Sequence, residues 1–145
     1  MLGDGAFQNN SNIAIGGSNA DGSLLAAMGG QWATAASSNK IAIGTASLSG
    51  VMNGGTGAVA VGHQALAALT TGAGNTAVGY QAGDTYTTHG GNTVIGYQAA
   101  QASTAGNITA VGYLALEDCT SDGTVGIGHS AGKNITSGAG NVAIG

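Results

Sequence analysis

Asn75-Thr76-Ala77-Val78-Gly79-Tyr80-Gln81-Ala82-Gly83 recurs as Asn92-Thr93-Val94-Ile95-Gly96-Tyr97-Gln98-Ala99-Ala100 and again as Ile108-Thr109-Ala110-Val111-Gly112-Tyr113-Leu114-Ala115-Leu116. Shorter copies stand at Ile13-Ala14-Ile15-Gly16, Ile41-Ala42-Ile43-Gly44, Val59-Ala60-Val61-Gly62, Val125-Gly126-Ile127-Gly128 and Val142-Ala143-Ile144-Gly145. The motif glycines are separated by 28, 18, 17, 17, 16, 16 and 17 residues. Self-similarity at so short a period makes a chain a stack of like units, each burying its apolar side against the next. If Gly29 or Gly30, in Ala26-Ala27-Met28-Gly29-Gly30, marks a degenerate copy, the first gap holds two short coils and the chain has about nine.

Each unit from Ala58 onward reads as a turn, an inner strand ending at the motif glycine, and a second strand such as Gln64-Ala65-Leu66 or Gln81-Ala82. The turns, such as Thr71-Gly72-Ala73-Gly74-Asn75 and His89-Gly90-Gly91-Asn92, supply glycine for positive φ and asparagine that tolerates it. Two strands and two turns in 16 or 17 residues describe one rung of a parallel β-solenoid, rising ~4.8 Å per coil. The expected organisation is a single all-β domain over 1–145. Within it, 1–12 form an opening coil around Phe7, 17–57 form irregular coils and 58–145 form regular ones. In the irregular part, Ser23-Leu24-Leu25-Ala26-Ala27-Met28 reads as a short helical turn or a strand, and Trp32 as a packing wedge.

Side chains alternate faces along a strand. Counted back from the motif glycine, positions −3 and −1 carry Ile13 and Ile15, Ile41 and Ile43, Val59 and Val61, Thr76 and Val78, Thr93 and Ile95, Thr109 and Val111, Val125 and Ile127, and Val142 and Ile144. Position −2 carries Ala14, Ala42, Ala60, Ala77, Val94, Ala110, Gly126 and Ala143. Small residues suit a narrow coil interior. The branched ones then point outward, in a stripe too long and too apolar for a soluble monomer. Sister chains presenting the same stripe would cover it in a closed cyclic oligomer. One fully buried Val or Ile is worth ~1.5–3 kcal/mol, so roughly thirteen such positions per chain would dominate stability.

Composition narrows the rest. Leu, Ile, Val and Phe total 26 of 145 residues, too few for a wide core, while 29 glycines permit a thin one. Proline is absent, which suits continuous backbone ladders. The two basic residues, Lys40 and Lys133, and a net charge of −4 argue against nucleic acid and anionic lipid as partners. No stretch reaches the ~20 apolar residues of a membrane span. Met1-Leu2-Gly3-Asp4-Gly5 lacks the features of a signal peptide, so the expectation is another export route, release by lysis, or a piece of something longer. Cys119 is alone and reads as a small buried filler.

Runs of Ile-Ala-Ile-Gly and Val-Ala-Ile-Gly followed by small-residue strands resemble the heads of trimeric autotransporter adhesins. The phrase Asn75-Thr76-Ala77-Val78-Gly79-Tyr80-Gln81-Ala82, preceded by Thr70-Thr71-Gly72, also resembles repeat regions of bacteriophage tail fibres. The resemblance covers about residues 12–145. It implies a left-handed β-roll and an obligate homotrimer around a shared axis. The period is longer than that of the adhesin heads, and stalk heptads and a membrane anchor are missing, which leans toward the phage fibre.

The expected function is therefore a non-enzymatic structural or adhesive segment, in a virion fibre that presents a host-receptor-binding tip. The head of a trimeric bacterial surface adhesin is the alternative, and an extracellular or cell-surface location goes with it. An ice-binding solenoid is a minor alternative, since Thr76, Thr93 and Thr109 align over only three rungs. The motif at Gly145, where a fresh repeat stops, carries the expectation of a fragment or of head-to-tail stacking.

Position +1 carries His63, Tyr80, Tyr97, Tyr113 and His129, which one-coil spacing would stack into an aromatic ladder. The ladder is expected at the subunit seam, with a surface for stacking a cell-surface glycan as the second reading. In a trimer, His63 or His129 would meet two symmetry mates, an arrangement able to hold zinc or nickel, but lone histidines without carboxylates mostly just pack. No cofactor or resident metal is expected. His89 is expected to be solvated. The carboxylates Asp4, Asp21, Asp84, Glu117, Asp118 and Asp122 are dispersed, and Glu117-Asp118 in a strand would point to opposite faces. The glycine-rich turns lack a phosphate-loop lysine. Asn9-Asn10-Ser11, Asn107-Ile108-Thr109 and Asn134-Ile135-Thr136 match the glycosylation sequon in a chain rich in Asn and Thr.

Overall fold

The computed structural model describes residues 13–16, 38–50, 54 and 56–145. Eight three-residue strands end at the motif glycines: β1 Ile13–Ile15, β2 Ile41–Ile43, β3 Val59–Val61, β4 Thr76–Val78, β5 Thr93–Ile95, β6 Thr109–Val111, β7 Val125–Ile127 and β8 Val142–Ile144. They pair in parallel, in chain order, as one sheet. Like stands on like: Ala60 pairs with Ala77, Ala77 with Val94, and Val78 with Ile95. The described residues form an all-β parallel solenoid of about six turns without a helix.

The expected count of nine coils rests in part on residues outside the described ones. Among the described residues β1 pairs with β2, Ile13 against Ile41, although their motif glycines are 28 residues apart. Residues 17–37 contain no Ile or Val from which to repeat the branched pair. The copy expected at Gly29 or Gly30, the element at 23–28, Trp32 and the coil around Phe7 lie outside the described residues.

The interior is built from five columns, one of them position −4, buried at Lys40, Ala58, Asn75, Asn92, Ile108 and Thr124. Position −2 (Ala42, Ala60, Ala77, Val94, Ala110) is buried, as is position +3 (Ala65, Ala82, Ala99, Ala115). Positions +4 and +7 complete each rung, with a glycine beside a large residue in two of them. Leu66 pairs with Leu69, Gly83 with Tyr86, Ala100 with Ser103, Leu116 with Cys119 and Gly132 with Ile135. Where Tyr86 fills the coil there is no room for more, and a Cβ on Gly83 would lie 2.9 Å from its ring. At Gly83–Tyr86 and Gly132–Ile135 the absent side chain makes room for the large one, because interiors tolerate neither voids nor overlap.

The second half of each coil is not the expected strand. Residues +2 and +4 have positive φ in every regular rung: Gln64 57° and Leu66 50°, Gln98 49° and Ala100 47°, Leu114 54° and Leu116 51°. Left-handed backbone costs roughly 1–2 kcal/mol per non-glycine residue. Hydrogen bonds between coils offset that cost. The N–H of +2 donates to the preceding coil, as Gln98 does to the Tyr80 carbonyl at 2.8 Å. The N–H of +4 donates to the following one, as Ala100 does to the Ala115 carbonyl at 2.9 Å. Reversing handedness at every second residue lets one short turn run bond to both neighbours.

The turn glycines behave as expected. Position −5 is Gly57, Gly74, Gly91, Asn107, Gly123 and Gly140, all between 56° and 73° in φ. Beside it, buried Asn75 and Asn92 form an amide ladder. The Asn92 side chain donates to Asn75 Oδ1 at 2.9 Å, and Asn92 Oδ1 accepts the Ile108 N–H at 3.0 Å. Buried polar groups stay in place only when bonded this way.

Candidate functional site

One flank of the solenoid gathers the residues singled out by the repeat. The −3 and −1 side chains project outward while −2 fills the coil. Ile95 and Ile127 are 40% and 41% exposed, and Ile13, Ile15, Val142 and Ile144 more so. Ile41, Ile43, Val59, Val61, Val78, Val111 and Val125 are half-buried. Three of the eight −3 positions hold threonine, Thr76, Thr93 and Thr109. No described residue at −3, −1 or +1 is a lysine or a carboxylate.

Position +1 forms the ladder. His63, Tyr80, Tyr97, Tyr113 and His129 stack with ring centroids 5.3, 5.1, 5.2 and 5.0 Å apart and planes within 14°. The spacing is the coil rise with a small offset. Ring faces turn toward one another, so a ligand approaching from the side meets ring edges and hydroxyls. Next to the ladder, Gln64, Gln81 and Gln98 at +2 make a second amide ladder, with 2.9 Å between successive side chains. Gln101 joins it at Gln81 Oε1, 3.2 Å away.

The glycine between −1 and +1 makes this juxtaposition. Gly62, Gly79, Gly96 and Gly112 have φ between 134° and 140°. A Cβ on Gly79 would lie 2.3 Å from the Gly96 carbonyl oxygen. Any side chain there would separate the coils.

The opposite flank is polar. Position +8 is Thr70, Thr87, Thr104, Thr120 and Thr136, a column that reading outward from the motif glycines missed because it lies half a coil away. It is exposed but for half-buried Thr70. Its register is uneven: the Thr70 N–H donates to the Thr87 carbonyl, whereas the Thr104 N–H donates to that of Cys119. Between the flanks, Lys133 Nζ pairs with Glu117 at 2.6 Å, and that contact raises the lysine's pKa. Glu117 and Asp118 sit in a turn run and not a strand. Asp84 is pushed up by burial, with His63 opposing.

Sequence reading also missed what is inside. Tyr86 is fully buried, and burial pushes its phenol far up. Its hydroxyl lies near that of Ser103 but makes no hydrogen bond of ordinary geometry among the described residues, since Ser103 donates to the Cys119 carbonyl and accepts from the Ala105 N–H. Lys40 is buried at −4, its ammonium 3.5 Å from the Gly54 carbonyl, and burial lowers its pKa to about 8. Cys119, by contrast, fills the interior as its reading as a small buried filler expects. His89 is half-buried, its ring 6.3 Å from that of Tyr86, and not fully solvated. Among the described residues no three of His, Cys, Asp and Glu come together, and no helix is long and apolar enough to cross a membrane.

These features define a parallel β-solenoid with one apolar, ring-bearing flank and one hydroxyl-rich flank. Comparison of the chain with protein-family models, with curated proteins and with solved structures finds no match.

Proposed function

We propose that the chain is a non-enzymatic structural and adhesive fibre segment: a left-handed β-roll that assembles as a homotrimer around a shared apolar axis. The bacteriophage tail fibre, presenting a host-receptor-binding tip, is the setting its repeats resemble most. The location is then a virion or a cell surface. The observation that carries this reading is the outward stripe of Val and Ile, continuous over the paired strands and free of charge. An apolar strip of that length exceeds the patch an isolated soluble chain usually exposes. Its geometry suits a copy of itself, because the same rise repeats along both surfaces. The polar flank with its threonine column, and the Lys133–Glu117 pair beside it, then face outward.

The head of a trimeric surface adhesin remains the alternative, distinguished by the regions flanking such a segment. Glycan binding in either setting would use hydroxyls and ring edges, since the ring faces are occupied by one another. Light scattering tests the assembly directly. A particle near three times 13.7 kDa is expected, and a stable monomer at micromolar concentration overturns it.

A further inference from the structure

The columns of the apolar flank do not vary independently. Where position −3 is threonine (Thr76, Thr93, Thr109), position +1 is tyrosine (Tyr80, Tyr97, Tyr113). Where −3 is valine and +1 lies on the ring ladder (Val59, Val125), +1 is histidine (His63, His129). Within one chain the two columns are far apart: four residues at ~3.3 Å each separate them, with the −1 side chain and the glycine between. No hydrogen bond joins these threonine hydroxyls to the tyrosines among the described residues.

On the five ladder rungs, though not at Ile41 and Thr45, the two columns match without touching in one chain, which points to contact between chains. In a closed three-fold assembly the contacts are heterologous, pairing unlike surfaces. With the middle of three columns on the axis, the column on one side of a chain faces the column on the other side of its neighbour. The middle column is −1: Ile15, Ile43, Val61, Val78, Ile95, Val111, Ile127 and Ile144, apolar at every rung, as a dry axis requires. The outer columns are then −3 and +1.

We infer that the −3 column of each chain packs against the +1 column of a second copy, threonine hydroxyl bonded to tyrosine hydroxyl and valine set against imidazole. The partner is this chain itself, and the inference rests on the trimer reading above. The chemistry fits both kinds of rung. Each hydroxyl can donate and accept, so a covered threonine–tyrosine pair satisfies itself. A tyrosine hydroxyl covered by valine would be left unpaired, at a cost. The shorter imidazole avoids reaching that far.

A double-mutant cycle with Thr93→Val and Tyr97→Phe tests this, read as the midpoint of trimer dissociation at matched concentration. Both substitutions keep shape, so the coil persists. Each alone should lower the midpoint, and the two together should lower it no further than the larger single effect. Thr70→Val, on the opposite flank, should add to Tyr97→Phe without coupling. Side chains this far apart in one chain normally act additively, so coupling reports contact between chains. Additive effects of Thr93→Val and Tyr97→Phe on a particle of three-chain mass overturn the pairing and leave the trimer standing. A one-chain mass removes both.

Discussion

A methyl group added to Gly96 would lie 2.2 Å from the carbonyl oxygen of Gly112, one coil further on. The φ of Gly96, 139°, is also one that L-residues rarely adopt. The two constraints act together, since steric overlap with backbone cannot be relieved by a rotamer change. Gly96→Ala is expected to cost about 3 kcal/mol or more, measured by denaturant unfolding. Gly74→Asn, at φ 67° with open space around it, should cost less than about 1 kcal/mol.

Tyr86 and Gly83 share one rung, and their volumes are coupled. Gly83→Ala should destabilise, because the new methyl meets the ring at 2.9 Å. Tyr86→Leu in the same chain should recover much of that loss, since Ala100 occupies the equivalent site at φ 47° above a smaller neighbour. Tyr86→Phe alone should be neutral or stabilising by about 1 kcal/mol, because an unpaired buried hydroxyl costs about that much. Thermal midpoints of the four chains decide the matter.

Lys40 gives stability a pH signature. Burial holds its folded pKa at about 8, against 10.5 in the unfolded chain. Between those values the unfolded state binds more protons, so stability should rise as pH increases through the window. Below about 8 both states are protonated and the full penalty applies. The midpoint in urea should therefore climb from pH 8 to about 10, and Lys40→Met should flatten the climb. Tyr86 acts in the other direction at the alkaline end. Its folded pKa is raised above 10.0, so the unfolded chain ionises first and stability falls once pH passes that value.

Ile95 tests the apolar flank. It is 40% exposed on the single chain, so a charge there is solvated in the monomer and dry in a covered stripe. Ile95→Asp should leave the far-ultraviolet circular dichroism unchanged while reducing the mass in solution to that of one chain. An unchanged mass would place the assembly surface elsewhere.

The threonine column at +8 has a separate test. Its changing hydrogen-bond register, Thr70 to Thr87 but Thr104 to Cys119, breaks the regular hydroxyl lattice that an ice surface would need. No thermal hysteresis is expected in dilute solution. A measurable freezing-point gap would restore the ice-binding reading.

The sequence by itself determined the stack, the column assignments and the ring ladder. Each follows from a local rule: period gives the rung, and alternate residues give the faces. Thus Ala77 faces in, Val78 faces out and Tyr80 lies one coil from Tyr97, and these could be read before any coordinates. Tertiary structure alone decided the rest of the coil. Gln98, Ala100, Leu114 and Leu116 are not residues that favour left-handed backbone, and they adopt it because hydrogen bonds to the coils above and below reward it. The same holds for the pairing of Ile13 with Ile41, which the spacing of the regular coils does not imply. It holds too for the volume traded between Gly83 and Tyr86, since a coil's width is a property of the whole ring and no window of neighbouring residues contains it.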